Sequence, residues 1–426
     1  MVVDAALEDK LLDYVDARRG RLIEIIGDLV RIPSENTPPT GAERACQEHL
    51  ERLLRRIRWE PLLYELDSVP GLREHPLWWA GRDYRGRPNL GARRKGANGG
   101  RSLVLSGHID TVPRGTQDWT RNAFGGAVEG NRLYGRGSND MKGGIGTNLF
   151  VLEALEDLDV RLAGDLVFES VIDEEFGGVN GTLAGRLMGF NGDAAVISEP
   201  SFLRVCPGQR GGRTAHITLT APGGILTGGA MPPGTIEQLT HFLNEVQRFA
   251  AQRRGNAGAH ILYHGHTDPV PVSITKIFTA PWGTREPITI PETCKVEMYW
   301  QLMPGEEQAE VEREFFAWLD SVFPVRPNVE FPIRWMPGSA ISPSDPLVTE
   351  LSAAARRAAG EAPPVAGIEG PCDMYVFHQA FGIPAVLWGA RGGNTHAADE
   401  YLDIDSAVAA AKALLLFVCR WCGVAG

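Results

Sequence analysis

The run Leu103-Val104-Leu105-Ser106-Gly107-His108-Ile109-Asp110 decides the fold. Its short apolar start reads as a buried strand, and an imidazole and a carboxylate follow directly. The pattern recurs along the chain. Leu166–Ile172 reads as a strand before Asp173-Glu174-Glu175, Ala194–Ile197 as a strand before Glu199, and Ala385–Trp388 as a strand before a Gly-rich loop and His396. Asp140 follows a Gly-rich turn and opens a helix over Ile145–Leu158, and Thr182–Leu187 reads as a short helix. This alternation predicts an α/β fold, a mostly parallel sheet with helices on both faces. Sites on such sheets form outside the carboxyl ends of the strands, which is where these acids and imidazoles converge.

Upstream, residues 5–57 read as helix, with Leu11, Leu12, Val15, Leu22, Ile25, Ile26 and Leu29 at helical spacing. Pro33 and Pro38-Pro39 interrupt it, and a second helix is predicted from Gly41 to Arg56. Ser68–Gly100 is rich in Gly, Pro and Arg and reads as loop, with a short strand at Leu90–Arg93. The style changes near Cys206. His216–Leu219, Ser273–Phe278 and Lys295–Leu302 read as half-buried strands, and Ile236–Ala251 and Glu306–Val322 as amphipathic helices. That pattern predicts a separate small α+β domain. After Pro337 the first style returns, with helix Pro346–Ala359, strand Ala385–Trp388 and helix Ala407–Trp421. The reading is one domain formed by residues 1–206 and 332–426, interrupted by an insert at 207–331.

Composition narrows the function. The formal charge is −11, which gives no general reason to expect nucleic acid or an anionic membrane as partner. The six cysteines are irregularly spaced in a long chain and do not read as a disulfide framework. Cys419 and Cys422 form a lone CxxC after an apolar helical run, without a second pair. The first twenty residues lack an apolar core flanked as in a signal peptide. Ala407–Val418 is too short to span a bilayer and contains Lys412. The expectation is a soluble, cytoplasmic protein.

Any one carboxylate after a strand is more often a helix cap or a solvated residue, and one histidine is usually structural. The joint placement changes that. Two imidazoles with several carboxylates suit Zn²⁺, Mn²⁺ or Co²⁺. Two such ions close together need a shared ligand, and a carboxylate can bridge. An Asp beside a ligand His can fix its tautomer, and a Glu beside a ligand Glu can remain free as a general base.

Several runs carry a family resemblance. Ser106–Pro113, Leu133–Gly144, Asp173–Gly178, Ser198-Glu199-Pro200 and Thr395–Glu400 resemble, in order, the signatures of the M20 metallopeptidases, with Met303-Pro304-Gly305-Glu306 matching between them. The resemblance implies a zinc-peptidase-like catalytic domain carrying an inserted ferredoxin-like lid and dimerisation domain, hence a homodimer or higher homo-oligomer. It implies one or two divalent metal ions. His108, Asp140 and Glu199 hold one, and Asp140, Glu175 and His396 the other, with Asp140 bridging. Asp110 orients His108, and Glu174 takes a proton from metal-bound water and passes it to the leaving nitrogen. The implied reaction is hydrolysis of a C–N bond in a small carboxylate-bearing substrate, an N-acyl amino acid or peptide by family default.

One departure bears on the substrate. Most members carry a His after the first long strand of the insert, where it stabilises the tetrahedral oxyanion, but Ala221–Met231 has none. His216 and His241 stand elsewhere. An oxyanion donor is typically worth about 2.7–4 kcal/mol, so Arg210 or Arg213 is the candidate replacement. The alternative is a reaction without a carbonyl oxyanion: hydrolytic deamination of an activated aromatic amine such as 5-nitroanthranilate, releasing ammonia. Arg391, in the loop before His396, is the candidate for a substrate carboxylate, which a guanidinium binds with a two-pronged fork. A non-catalytic scaffold is the remaining class, and the full ligand set argues against it.

Overall fold

A computed structural model describes residues 3–97, 99–223, 232–279 and 290–425. The chain divides into two compact bodies. The first comprises Met1–Gly208, Ala340–Ile368 and Cys372–Gly426, and the second Gln209–Ser339 with Glu369–Pro371. The chain re-enters the first body at Ala340 rather than at residue 332. The intervening segment stays with the second body because Met336 bridges Gly212 and Gly338 bridges Pro304.

In the first body a six-stranded sheet runs in the order Ala385–Leu387, Ala194–Ile197, Leu103–Ser106, Leu166–Ser170, Pro88–Arg94, Leu62–Glu65. The first four strands are mutually parallel. The last two are antiparallel additions at one edge. All side chains of Leu103–Ser106, Leu166–Ser170 and Ala194–Ile197 are buried, which is why their sequences are largely apolar rather than alternating; buried Glu169 is paired with Arg186. Helix Lys142–Asp157 is buried on nearly every side. Helix Pro346–Ala359 has a full set of boundary signals: Asp345 caps Leu347, proline opens the first turn, and Gly360 ends it at φ +83°. No helix among the described residues is long and apolar enough to cross a membrane.

The amino-terminal pattern resolves into three helices, Ala5–Ala17, Arg19–Arg31 and Arg44–Arg56. The extra break is local: Arg18 leaves helical geometry while its N–H still bonds Tyr14, two residues before the helix-weak Gly20. The strand Leu62–Glu65 and a small antiparallel sheet have no counterpart in the sequence reading. That sheet joins Gly392–Gly393, Tyr401–Asp403, Arg132–Tyr134 and Ala127–Glu129. Strands of two or three residues are too short for periodicity to reveal. The small sheet matters functionally, because pairing Tyr401 with Tyr134 lays the loop before Asp140 beside the loop that carries His396.

The second body is a four-stranded antiparallel sheet with helices Thr235–Asn256 and Gln308–Val322. Its chain order is strand, helix, strand, strand, helix, strand, and its spatial order is Val272–Phe278, Thr293–Leu302, Gly211–Thr220, Asn328–Glu330. This is a ferredoxin-like split βαβ arrangement. Its core packs Phe249, Trp300, Phe315 and Trp318, with Phe249 and Trp318 ring centres 4.7 Å apart.

Candidate metal centre

Sheet register places the donors. Pairing between Leu103–Ser106 and Leu166–Ser170 continues beyond the strands, where Ile109 N–H bonds Val171 and Val171 N–H bonds Gly107. His108 therefore lies alongside the start of the Asp173-Glu174-Glu175 turn. Ser198 N–H bonds Ser106, which brings Glu199 to the same edge.

His108 Nε2 stands 3.2 Å from Asp140 Oδ1 and 3.5 Å from Glu199 Oε1. His396 Nε2 stands 3.3 Å from Asp140 Oδ2 and 2.9 Å from Glu175 Oε2. The two oxygens of Asp140 thus face different imidazoles. Within each trio, His108–Asp140–Glu199 and Asp140–Glu175–His396, the donor atoms lie within 4.8 Å of one another. Ligands at about 2.0–2.1 Å from a tetrahedral zinc are roughly 3.3 Å apart, so the spacing suits a divalent cation in each trio.

The electrostatics point the same way. Burial pushes Glu175 up to about 7 and Glu199 up to about 8, with neighbouring Asp140 adding to both. Burial likewise drives Glu174 well above its usual range, and Glu199, Asp373 and Glu175 add to this. Burial alone would lower His108, but Glu199, Asp110 and Asp140 overcome it and leave the imidazole raised. Hydrogen bonds to Asp140 and Glu175 hold His396 near 10. Protons hold together a cluster that otherwise carries too much negative charge, and a divalent cation can take their place.

Asp110 faces His108 with its main chain as well as its carboxylate. His108 Nδ1 is 2.9 Å from the main-chain carbonyl of Asp110, and 3.6 Å from its Oδ1. A proton on Nδ1 is shared with that carbonyl, which leaves Nε2 to the donors. The Asp110 carboxylate also accepts the N–H groups of Glu174 and Glu175 at 3.1 and 3.2 Å, and Asn36 Nδ2 at 2.9 Å. It ties the glutamate pair to the histidine strand.

Glu400 had no role assigned from sequence. Its carboxylate accepts the N–H groups of Gly137, Asn139 and Asp140 and pairs with buried Arg136 at 2.6 Å. Asn139 Nδ2 also bonds Thr395 at 2.8 Å. These contacts fix the shared Asp140 against the His396 loop. The signal in sequence was the acid four residues after His396, whose partners lie some 260 residues upstream and cannot be read from spacing.

The arginine candidates differ from one another. Arg391 is exposed, and its main chain bonds Ser406 and Asp403. Arg210 and Arg213 belong to the second body and are buried. Arg210 donates to Gln301 at 2.6 Å and lies over the Tyr263 ring. Arg213 pairs with Glu312, bonds the Ile333 carbonyl and lies 3.7 Å over Phe331. These partners make Arg213 a structural cation of that core. Replacing it with alanine should cost about 1–3 kcal/mol, because the buried Ile333 carbonyl loses its donor and the stacking on Phe331 is lost, while half-buried Glu312 keeps Gln308 as a partner. Urea unfolding checks this, and an unchanged midpoint would refute it.

His216 bonds Glu297 at 2.8 Å and His241 the Val322 carbonyl at 3.1 Å. Of Ala221–Met231, residues 224–231 lie outside the described residues. Cys419 and Cys422 are free and buried at a helix end.

Comparison with known proteins agrees with this geometry. The model of peptidase family M20/M25/M40 matches residues 104–420. The chain is 27% identical to N-formyl-4-amino-5-aminomethyl-2-methylpyrimidine deformylase of Halalkalibacterium halodurans, over 97% of each chain. It is 29% identical to succinyl-diaminopimelate desuccinylase of Cereibacter sphaeroides, over 64% of this chain and 65% of that one. Among solved structures, the di-peptidase Dug1p of Saccharomyces cerevisiae superposes with a TM-score of 0.76 at 15% identity, over 97% of this chain and 98% of that one.

Proposed function

Because the chain belongs to peptidase family M20/M25/M40 and is a metal-dependent hydrolase of amide C–N bonds, we propose that it removes a short acyl group, of formyl to succinyl size, from the nitrogen of a small molecule. The observation that carries this reading is the pair of donor trios sharing Asp140. The full-length similarity to a deformylase and the partial similarity to a desuccinylase support the short acyl group.

In this reading His108, Asp140 and Glu199 hold one divalent cation, and Asp140, Glu175 and His396 a second, with Zn²⁺, Mn²⁺ and Co²⁺ the candidates. Such cations lower the pKa of bound water towards ~7 and polarise a carbonyl oxygen. Glu174 belongs to neither trio, and its Oε2 is 3.8 Å from His108 Nε2. It takes the proton of the attacking water and returns it to the departing nitrogen. Burial makes its carboxyl a stronger base than an ordinary glutamate. Arg391, exposed five residues before His396, receives a substrate carboxylate. Arg213, already engaged by Glu312, has no part in this. We also propose that the chain works as a homo-oligomer.

The second reading, deamination of an activated aromatic amine, is favoured by the lack of histidine in Ala221–Met231. One assay separates the two. Protein loaded with Zn²⁺, Mn²⁺ or Co²⁺ is incubated with N-formyl, N-acetyl and N-succinyl amines and with 5-nitroanthranilate. Release of a carboxylate with a free amine is the expected result. Ammonia with a phenol supports the second reading, and no product from any of them overturns both.

A further inference from the structure

The glutamate pair sits in an unusual turn. Asp173 has φ +65°, a conformation that residues with a Cβ rarely adopt. The turn closes tightly on itself: a Cβ on Gly178 would lie 1.6 Å from the Asp173 carbonyl oxygen. Such a backbone persists only where its surroundings over-determine it.

Here those surroundings come from a loop far upstream, between Leu77 and Arg87. Arg82 Nε lies 3.3 Å from Asp173 Oδ1, and Arg82 Nη2 lies 3.4 Å from the Phe176 carbonyl. One guanidinium therefore spans the residues on either side of Glu174 and Glu175. Tyr84 donates its hydroxyl proton to Asp173 Oδ2 at 2.6 Å and accepts from Asn180 at 2.7 Å. Asn180 also exchanges bonds with the Trp79 main chain at 3.0 and 2.7 Å, and Arg82 lies 4.1 Å over the Trp79 ring. Asn36 links Asp173 to Asp110. Arg82 and Tyr84 thus grip the turn from one side while Asp110 grips its N–H groups from the other.

We propose that Arg82 and Tyr84 are positioning residues, which hold the Glu174–Glu175 turn in its working geometry through Asp173 and Phe176. Neither residue touches the donor atoms. They act by fixing where the Glu174 carboxyl points. This rests on the role given to Glu174 above.

The test uses the metal-loaded full chain with Arg82→Ala, Arg82→Lys and Tyr84→Phe. A misplacement of about 1 Å at a catalytic group costs about 100-fold. Arg82→Ala is therefore expected to lower kcat by about that factor with KM nearly unchanged and metal content unchanged. Arg82→Lys restores part of the loss, because an ammonium still reaches one of the two acceptors. Tyr84→Phe, which removes a single oxygen, gives a smaller fall and serves if Arg82→Ala fails to fold. A substrate-independent readout accompanies these: the Glu174 and Glu175 amides should exchange hydrogen faster while the rest of the first body is unchanged. Wild-type kcat and exchange in Arg82→Ala and Tyr84→Phe would overturn the proposal, as would faster exchange throughout the first body. If the wild type cleaves no amide but exchange is locally faster in the variants, the clamp stands and the functional reading fails.

Discussion

A Glu174→Gln enzyme is expected to keep its metal and lose about 10²–10⁴-fold in kcat, the usual contribution of a general base. The two effects separate because Glu174 offers no atom to either donor trio yet lies 3.8 Å from a donor imidazole nitrogen. The amide is nearly isosteric, so the turn and its bonds to Asp110 survive, while the group that accepts a proton is gone. Elemental analysis alongside steady-state kinetics checks both halves. A variant with wild-type kcat ends the assignment. A variant that loses its metal shows instead that Glu174 is a ligand.

Asp140→Ala should have the opposite signature, losing metal from both trios and activity with it. Its two oxygens face different imidazoles, so one substitution disables two sites. Glu199→Ala and His396→Ala each remove a donor from one trio only and should lower stoichiometry without abolishing it. Binding should also release protons. At neutral pH His396, near 10, and Glu199, near 8, hold protons that a cation must displace. Affinity for Zn²⁺ therefore rises as pH rises through this range. Calorimetry in buffers of different ionisation enthalpy measures the release, and a pH-independent affinity would contradict it.

The parallel strands were legible in the sequence because burial on both faces makes them largely apolar runs. Each donor could be picked out because it directly follows such a run or a Gly-rich turn. What stayed hidden is whatever depends on contacts distant in sequence. Asp110 offered a carboxylate to His108 on spacing alone, and the fold adds its main-chain carbonyl to the same nitrogen and ties the side chain to the glutamate amides. Asn36, Arg82 and Tyr84 lie in stretches without a motif, and Glu400 ends the Thr395–Glu400 run with no partner nearby in sequence, so only the tertiary structure shows what they hold. Arg213 shows the same limit: in sequence it stands with Arg210 near the domain boundary as a candidate for substrate, and its pairing with Glu312 is visible only in the fold.

The position of Glu400 has a consequence for how the enzyme is made. Four donors, His108, Asp140, Glu175 and Glu199, emerge from the ribosome before any of the second body exists. The residue that fixes Asp140 through the Gly137, Asn139 and Asp140 amides comes 260 positions after Asp140. A growing chain therefore presents ligands without their frame throughout synthesis of the insert. Capture of metal in the finished geometry belongs to the completed protein, and a product cut short within the insert would compete poorly for a scarce ion.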